Sequence, residues 1–168
     1  MTNVSTPLSF EELQKKVAAI KNNTTVDLSL EEDLSIAVMN LISLEEHFFF
    51  SGAKTQKREY YDMLYDVREM RKVLLARMIE KTEAESWCIS KHLLATTMRL
   101  MEVGTKLQSD GKKDEAADMF AFAYKTYNLF FALRLKIIEA PAVADHLQKE
   151  KPMSFDDIVS QMVNCCKE

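Results

Sequence analysis

Glycine and proline are scarce in this sequence, which has three of each among 168 residues. Proline breaks helices and glycine weakens them, so a chain with few of either can form long uninterrupted helices. Pro7, Pro141 and Pro152 all lie near the chain ends, and no proline falls between residues 8 and 140. The scarcity therefore predicts long helices through the middle of the chain.

The sequence also lacks a basic excess, a long apolar run and an even set of cysteines. A formal charge of −4 argues against general nucleic-acid binding, which needs a basic surface. No uncharged apolar run approaches the roughly 20 residues of a membrane span, and the N-terminal segment does not read as a secretory signal. Three cysteines, with Cys165 and Cys166 adjacent, do not form a disulfide framework. We expect a cytoplasmic protein with neither membrane nor nucleic acid as a partner.

Apolar residues recur at spacings of three and four between residues 29 and 138, as on one face of a helix. Ser29 and Thr82 each begin a capping box, and Gly52 and Gly111 lie where turns are needed. Four long helices joined by short connections are typical of antiparallel neighbours. The pattern therefore predicts an all-α protein built on an up-down-up-down four-helix bundle over residues 29–138.

Two shorter segments flank this bundle. Residues 1–28 are expected to form an N-terminal arm with a short amphipathic helix that begins at the capping box of Ser9. Residues 139–168 are expected to form a linker followed by a short C-terminal helix over 155–165. The prediction is therefore one bundle domain with an additional short helix at each end.

From Leu100 the chain reads LMEVGTKLQSDGKKDEAADMFAFAY, a pattern of small and large residues carried by Gly104, Leu107, Gly111, Ala116, Phe120 and Ala123. This stretch, residues 100–123, resembles a single hairpin of a tetratricopeptide repeat. In such a hairpin small residues let two antiparallel helices approach closely. The resemblance implies hairpin geometry and an adaptor role. It transfers no peptide-binding residues, because the chain has no second copy and such arrays need about three.

The stretch ESWCISKHLLATTMR places Cys88 and His92 four residues apart, so they share one face of a helix. Thiolate and imidazole groups are good zinc ligands. The remaining ligands would be His47 with Glu46 on the second helix, or a carboxylate such as Asp62 or Asp66 on the third. The other interpretation is a buried cysteine that acts as a small hydrophobic residue beside a partly buried histidine. The alternative function is thus a zinc or iron protein, either a metal-dependent hydrolase or a sensor.

Other catalytic patterns are missing from the sequence. A ferritin-like di-iron centre needs Glu-x-x-His motifs, and no histidine here has a glutamate three residues before it. A cysteine nucleophile needs a base and an orienting partner. Cys88 has Lys91 and His92 close by, but it lies in mid-helix without an oxyanion loop. Glycine-rich phosphate loops and protease or kinase signatures do not occur, so we expect no catalytic activity and no cofactor.

Aromatic residues crowd the end of the second helix in the run EEHFFFSGAKTQKREYY. Consecutive positions cannot all face one stripe, so Phe49 and Phe50 become candidates for contact with a terminal helix or another chain. In the fourth helix Lys91 and Arg99, together with His92, are candidates for a cationic groove that binds an anionic partner. A solvated helix face is the alternative interpretation of these charges.

The second and fifth helices carry apolar residues around most of their circumference, although a bundle helix needs only one apolar stripe. Large apolar patches left over from such packing usually mark an interface. The sequence therefore predicts an intracellular helical module, an adaptor or scaffold that binds protein, and a symmetric homodimer is the expected assembly.

Overall fold

The computed structural model describes residues 10–22, 27–80 and 83–138. Within these residues 86% are helical and no strand occurs, which confirms the all-α prediction. The expected C-terminal helix over 155–165, with Cys165 and Cys166, lies outside the described residues. The five helices are α1 (Phe10–Asn22), α2 (Leu28–Thr55), α3 (Glu59–Leu75), α4 (Ala84–Ser109) and α5 (Lys113–Arg134).

The start of α2 is capped by Asp27 rather than by Ser29. The Asp27 carboxylate accepts hydrogen bonds from the backbone N–H groups of Ser29 and Leu30, at 3.1 and 3.2 Å. It therefore satisfies two of the donors that a helix N-terminus leaves free. The helix then continues through Gly52 and ends at Thr55, so the turn expected at Gly52 lies four residues later, at Gln56 with φ 57°. The turn expected at Gly111 is confirmed.

The helices are arranged as two antiparallel hairpins. α4 packs most extensively against α5, and α2 packs next most extensively against α3. Contact between α2 and α4 joins the hairpins, and the other pairs of described helices are in slight contact or none. Side chains add a further link between α2 and α5, because the guanidinium of Arg134 donates two hydrogen bonds of 2.8 Å to the carboxylate of Glu31.

The hydrophobic core lies at one end of the two hairpins. We call residues 27–42, 71–80, 83–97 and 126–138 the core end, and residues 43–70 and 98–125, which contain the two hairpin turns, the loop end. The core cluster falls entirely within the core end and consists of Val38, Met39, Leu75, Met78, Ile79, Leu93, Leu94, Leu129, Phe130, Phe131, Ala132 and Ile137. At the loop end the buried apolar residues are the small side chains of Ala116 and Ala123.

Candidate interaction surface

Exposed hydrophobic side chains concentrate at the loop end. Of the fifteen large hydrophobic residues that are exposed in the described chain, twelve belong to this end. We call them the loop-end apolar surface: Leu44, Phe49, Phe50, Tyr61, Met63, Tyr65, Met70, Met101, Val103, Phe120, Phe122 and Tyr124. The core end exposes Leu30, Ile36 and Val73. The fully buried large apolar side chains therefore lie at the core end, and most of the exposed ones lie at the loop end.

The α4–α5 hairpin carries part of this surface around a glycine. A β-carbon at Gly104 would lie 2.5 Å from Cε1 of Phe120, so the ring rests against the bare backbone of α4. Met101 lies three residues before Gly104 and Tyr124 four residues after Phe120, so each shares a helix face with its neighbour. These three side chains, Met101, Phe120 and Tyr124, are between 40% and 48% exposed.

The α2–α3 hairpin has the same arrangement. A β-carbon at Gly52 would lie 2.8 Å from the ring of Tyr61, which rests against α2 in the way that Phe120 rests against α4. Phe49 lies three residues before Gly52, and Tyr65 lies four residues after Tyr61. Each hairpin therefore presents an aromatic ring seated on a glycine, with a large apolar residue on either side along the helices.

Phe49 and Phe50, the two candidates for contact with a terminal helix or another chain, are both exposed, by 51% and 57%. Their rings contact each other edge to face at a centroid distance of 5.2 Å. Tyr124 belongs to the apolar circumference predicted for the fifth helix, but sequence reasoning did not single out Tyr65 or Met101 as part of the same surface. The signal was present in the spacing of these residues from Tyr61, Gly104 and Phe120.

A groove of about 510 Å³ lies between α2 and α4 and is lined by Ser43, Glu46, His47, Phe50, Ser51, Lys54, Met98, Arg99 and Glu102. Of the predicted cationic set, Arg99 lines this groove, whereas Lys91 and His92 are not among the lining residues. The Arg99 guanidinium lies 3.3 Å from a Glu46 carboxylate oxygen and donates a hydrogen bond to Ser43 Oγ. Glu102 contributes a further carboxylate, so the groove carries both signs of charge rather than a cationic lining.

The candidate metal ligands do not come together in one chain. Cys88 and His92 are exposed on α4, and His47 and Glu46 line the groove between α2 and α4. Among the residues that the structure describes, no three histidine, cysteine, aspartate or glutamate side chains are grouped closely enough to hold a metal ion. The interpretation of Cys88 as a buried hydrophobic residue is wrong, because its side chain is exposed as a free thiol.

Comparisons with models of known protein families, with curated proteins and with solved structures found no significant match. Across the described ranges, none of the helices is both long enough and apolar enough to pass through a membrane.

Proposed function

We propose that this chain is a non-catalytic helical interaction module, an adaptor or scaffold that binds another protein chain through its loop-end apolar surface. The observation that carries the proposal is the division of apolar residues between the two ends. A core cluster occupies one end, and twelve exposed large hydrophobic residues occupy the other. Solvent-exposed apolar side chains on this scale are typical of surfaces that bind a partner.

The size of the surface favours a protein partner over a small ligand. A large aromatic or methionine side chain offers about 200 Å², and these residues are close to half exposed. The twelve side chains together therefore expose on the order of 1,000 Å². A drug-sized ligand needs a concave site, and the groove between α2 and α4 is bordered by paired charges rather than by a closed apolar wall.

The proposal also includes an up-down-up-down arrangement of the four long helices and a cytoplasmic location. The chain order of two antiparallel hairpins supports an up-down-up-down bundle at the core end, where α2, α3, α4 and α5 all contribute to the core cluster. A cytoplasmic location is supported by the odd number of cysteines and by the exposed free thiol of Cys88, which suits a reducing compartment.

Site-specific photocrosslinking in cells that express the protein tests the proposal. A benzophenone amino acid placed at Phe122, which is 54% exposed at the loop end, should give a discrete cross-linked protein adduct. The matched control is the same amino acid at Leu30, which is 64% exposed at the core end. An adduct formed equally well from both positions, or from neither, would contradict a specific loop-end interface.

Elemental analysis of protein purified without chelator tests the competing metal function. Under the proposal we expect no stoichiometric zinc or iron. Near-stoichiometric metal that is lost in the double variant Cys88→Ala, His92→Ala would favour a metal protein instead. The variant Lys91→Ala removes a charge from the same helix while keeping Cys88 and His92, and it serves as the control.

A further inference from the structure

We propose that the occupant of the loop-end apolar surface is a second copy of this chain, paired with the first about a two-fold axis. This inference rests on the proposed function, because it names the partner of the same surface. Four features of the loop end support it: the course of α5, the area that is exposed, the mixture of charges and the likeness of the two hairpins.

The course of α5 shows where the single chain stops covering its own apolar residues. From Asn128 to Leu133 six consecutive residues are buried. Six residues point to every side of a helix, so this part of α5 is enclosed within the monomer. Further toward the N-terminus, Phe120, Phe122 and Tyr124 are each at least 40% exposed. The apolar side chains of α5 that another chain could cover therefore lie at the loop end.

The exposed area at the loop end can supply the apolar part of a stable dimer interface. A standard interface buries about 800 Å² on each partner. The loop-end apolar surface offers on the order of 1,000 Å² of large hydrophobic side chains, before any polar rim is counted. Side chains two residues apart in one helix, such as Phe120 and Phe122, point about 200° apart, so a single interface covers part of this area and a polar rim supplies the rest.

The charges at the loop end suit pairing with a like surface. Acidic and basic residues are interspersed there, six to four on the α2–α3 hairpin and five to five on the α4–α5 hairpin, among them Asp62, Asp66, Arg68, Lys106, Asp118 and Lys125. Two copies can therefore approach with far less repulsion than a surface of one sign would cause. The loop-end apolar surface has no predominant charge of one sign that would select a strongly charged partner.

The two hairpins present equivalent chemistry, which fits a two-fold interface. Tyr61 is seated on Gly52 in one hairpin, and Phe120 is seated on Gly104 in the other. In an isologous interface each contact occurs twice, because residue i of one copy meets residue j of the other and the reverse. Two like aromatic patches per chain can thus all be covered in a single closed dimer.

Light scattering coupled to size-exclusion chromatography measures the assembly directly. We expect the full chain at tens of micromolar to have twice the monomer mass of 19.3 kDa. Phe49→Glu and Tyr124→Glu, one on each hairpin, should each raise the dimer Kd by about tenfold or more, because each places a charge in a desolvated contact. Leu30→Glu and Val73→Glu alter side chains of similar exposure at the core end and should leave Kd unchanged.

Circular dichroism and the thermal midpoint of each variant show whether it is folded, and because these positions are exposed we expect all four to fold. A wild-type chain that stays at 19.3 kDa at this concentration would overturn the dimer. A Kd that rises in the core-end variants but not in the loop-end variants would overturn it as well. Monomeric protein that still gives a loop-end cross-link to a different protein would refute the self-pairing and leave the proposed function standing.

Discussion

The ring of Phe120 occupies the space that a side chain at position 104 would need. A β-carbon on Gly104 would lie 2.5 Å from Cε1 and 2.8 Å from Cδ1 of this ring. Carbon atoms in contact normally stay about 3.5–4.0 Å apart. The glycine therefore sets how closely α4 and α5 approach, and it holds an exposed aromatic ring in place at the loop end.

Gly104→Ala should lower the free energy of unfolding, by about 1–2 kcal/mol, because the added methyl group displaces the Phe120 ring. In a Phe120→Ala background the same substitution should instead raise stability, by about 0.5–1 kcal/mol, since alanine is the better helix former. Urea denaturation of the four proteins in this cycle gives the coupling between the two positions. If Gly104→Ala changes the free energy of unfolding equally in both backgrounds, the Phe120 ring does not restrict the side chain at position 104.

The close approach of α4 and α5 could be predicted from the sequence because it depends on local spacing. Small residues at Gly104, Ala116 and Ala123 were expected to let two antiparallel helices pack, and all three are buried between them. The helical character of the chain and the turn at Gly111 follow from the same local information. Helix periodicity and turn chemistry operate within a few residues, so a single sequence carries them.

Contacts between distant segments could not be predicted in the same way. Gly52 reads as a helix stop, but α2 continues through it, and the ring of Tyr61 from α3 lies against the bare backbone there. Cys88 and His92 share a helix face, yet no partner helix brings ligands to them within the described ranges. Periodicity states which face of a helix is apolar, but it does not state which helix meets that face or at what rotation.

The buried ion pair of Arg71 is also not indicated by helix periodicity. Its removal should lower the stability of the fold substantially. The Arg71 side chain is 3% exposed, and its Nε donates a 2.7 Å hydrogen bond to Glu45 Oε1. Arg71→Ala should lower the free energy of unfolding by about 3 kcal/mol, because it leaves a largely buried carboxylate without its main partner.

The control for Arg71→Ala is Arg99→Ala, which breaks the ion pair between Arg99 and Glu46. Both side chains of this pair are exposed, Arg99 by 54% and Glu46 by 41%. That change should cost about 0.5 kcal/mol or less, as for other exposed ion pairs. Chemical denaturation of both variants provides the comparison. Equal losses would mean that burial of the Arg71–Glu45 pair is not what makes it matter.

Glu32 gives the fold a pH dependence. Burial raises the pKa of the Glu32 carboxyl above its ordinary value of 4.5, and the neighbouring charge of Asp33 raises it further. The folded state therefore holds this proton more tightly than the unfolded state does. The stability contributed by the protonated form is present below the ordinary pKa and is lost as pH rises through the raised pKa of the folded state.

Glu32→Gln should consequently be more stable than the natural chain at pH 7 and equal to it well below pH 4.5. Thermal or urea unfolding of both proteins across this range measures the difference. Glu102→Gln removes the same charge from an exposed side chain and serves as the control. A stability difference for Glu32→Gln that does not grow with pH would show that the ionised carboxylate is not penalised in the fold.

Asn128 lies in the most thoroughly buried part of α5 and has no exposed surface. Within the part of the chain that the structure describes, neither its side-chain nitrogen nor its side-chain oxygen has a hydrogen-bond partner. A buried amide without partners costs roughly 1–3 kcal/mol, which the neighbouring core side chains must offset. The residue therefore weakens the core end relative to an apolar side chain of similar size.

Asn128→Leu should raise the free energy of unfolding by about 1–3 kcal/mol, because it replaces an unsatisfied amide with an apolar group of comparable volume. Asn128→Ala separates the two contributions, since it also removes the amide but leaves a cavity, and it should give a smaller gain or a loss.

Thr97, whose hydroxyl is hydrogen-bonded to Leu93 and Thr126, provides the contrast. Thr97→Val removes a satisfied buried group and should destabilise the fold by about 1 kcal/mol. If Asn128→Leu is as destabilising as Thr97→Val, the side-chain amide of Asn128 forms hydrogen bonds in solution. The amide would then not weaken the core end.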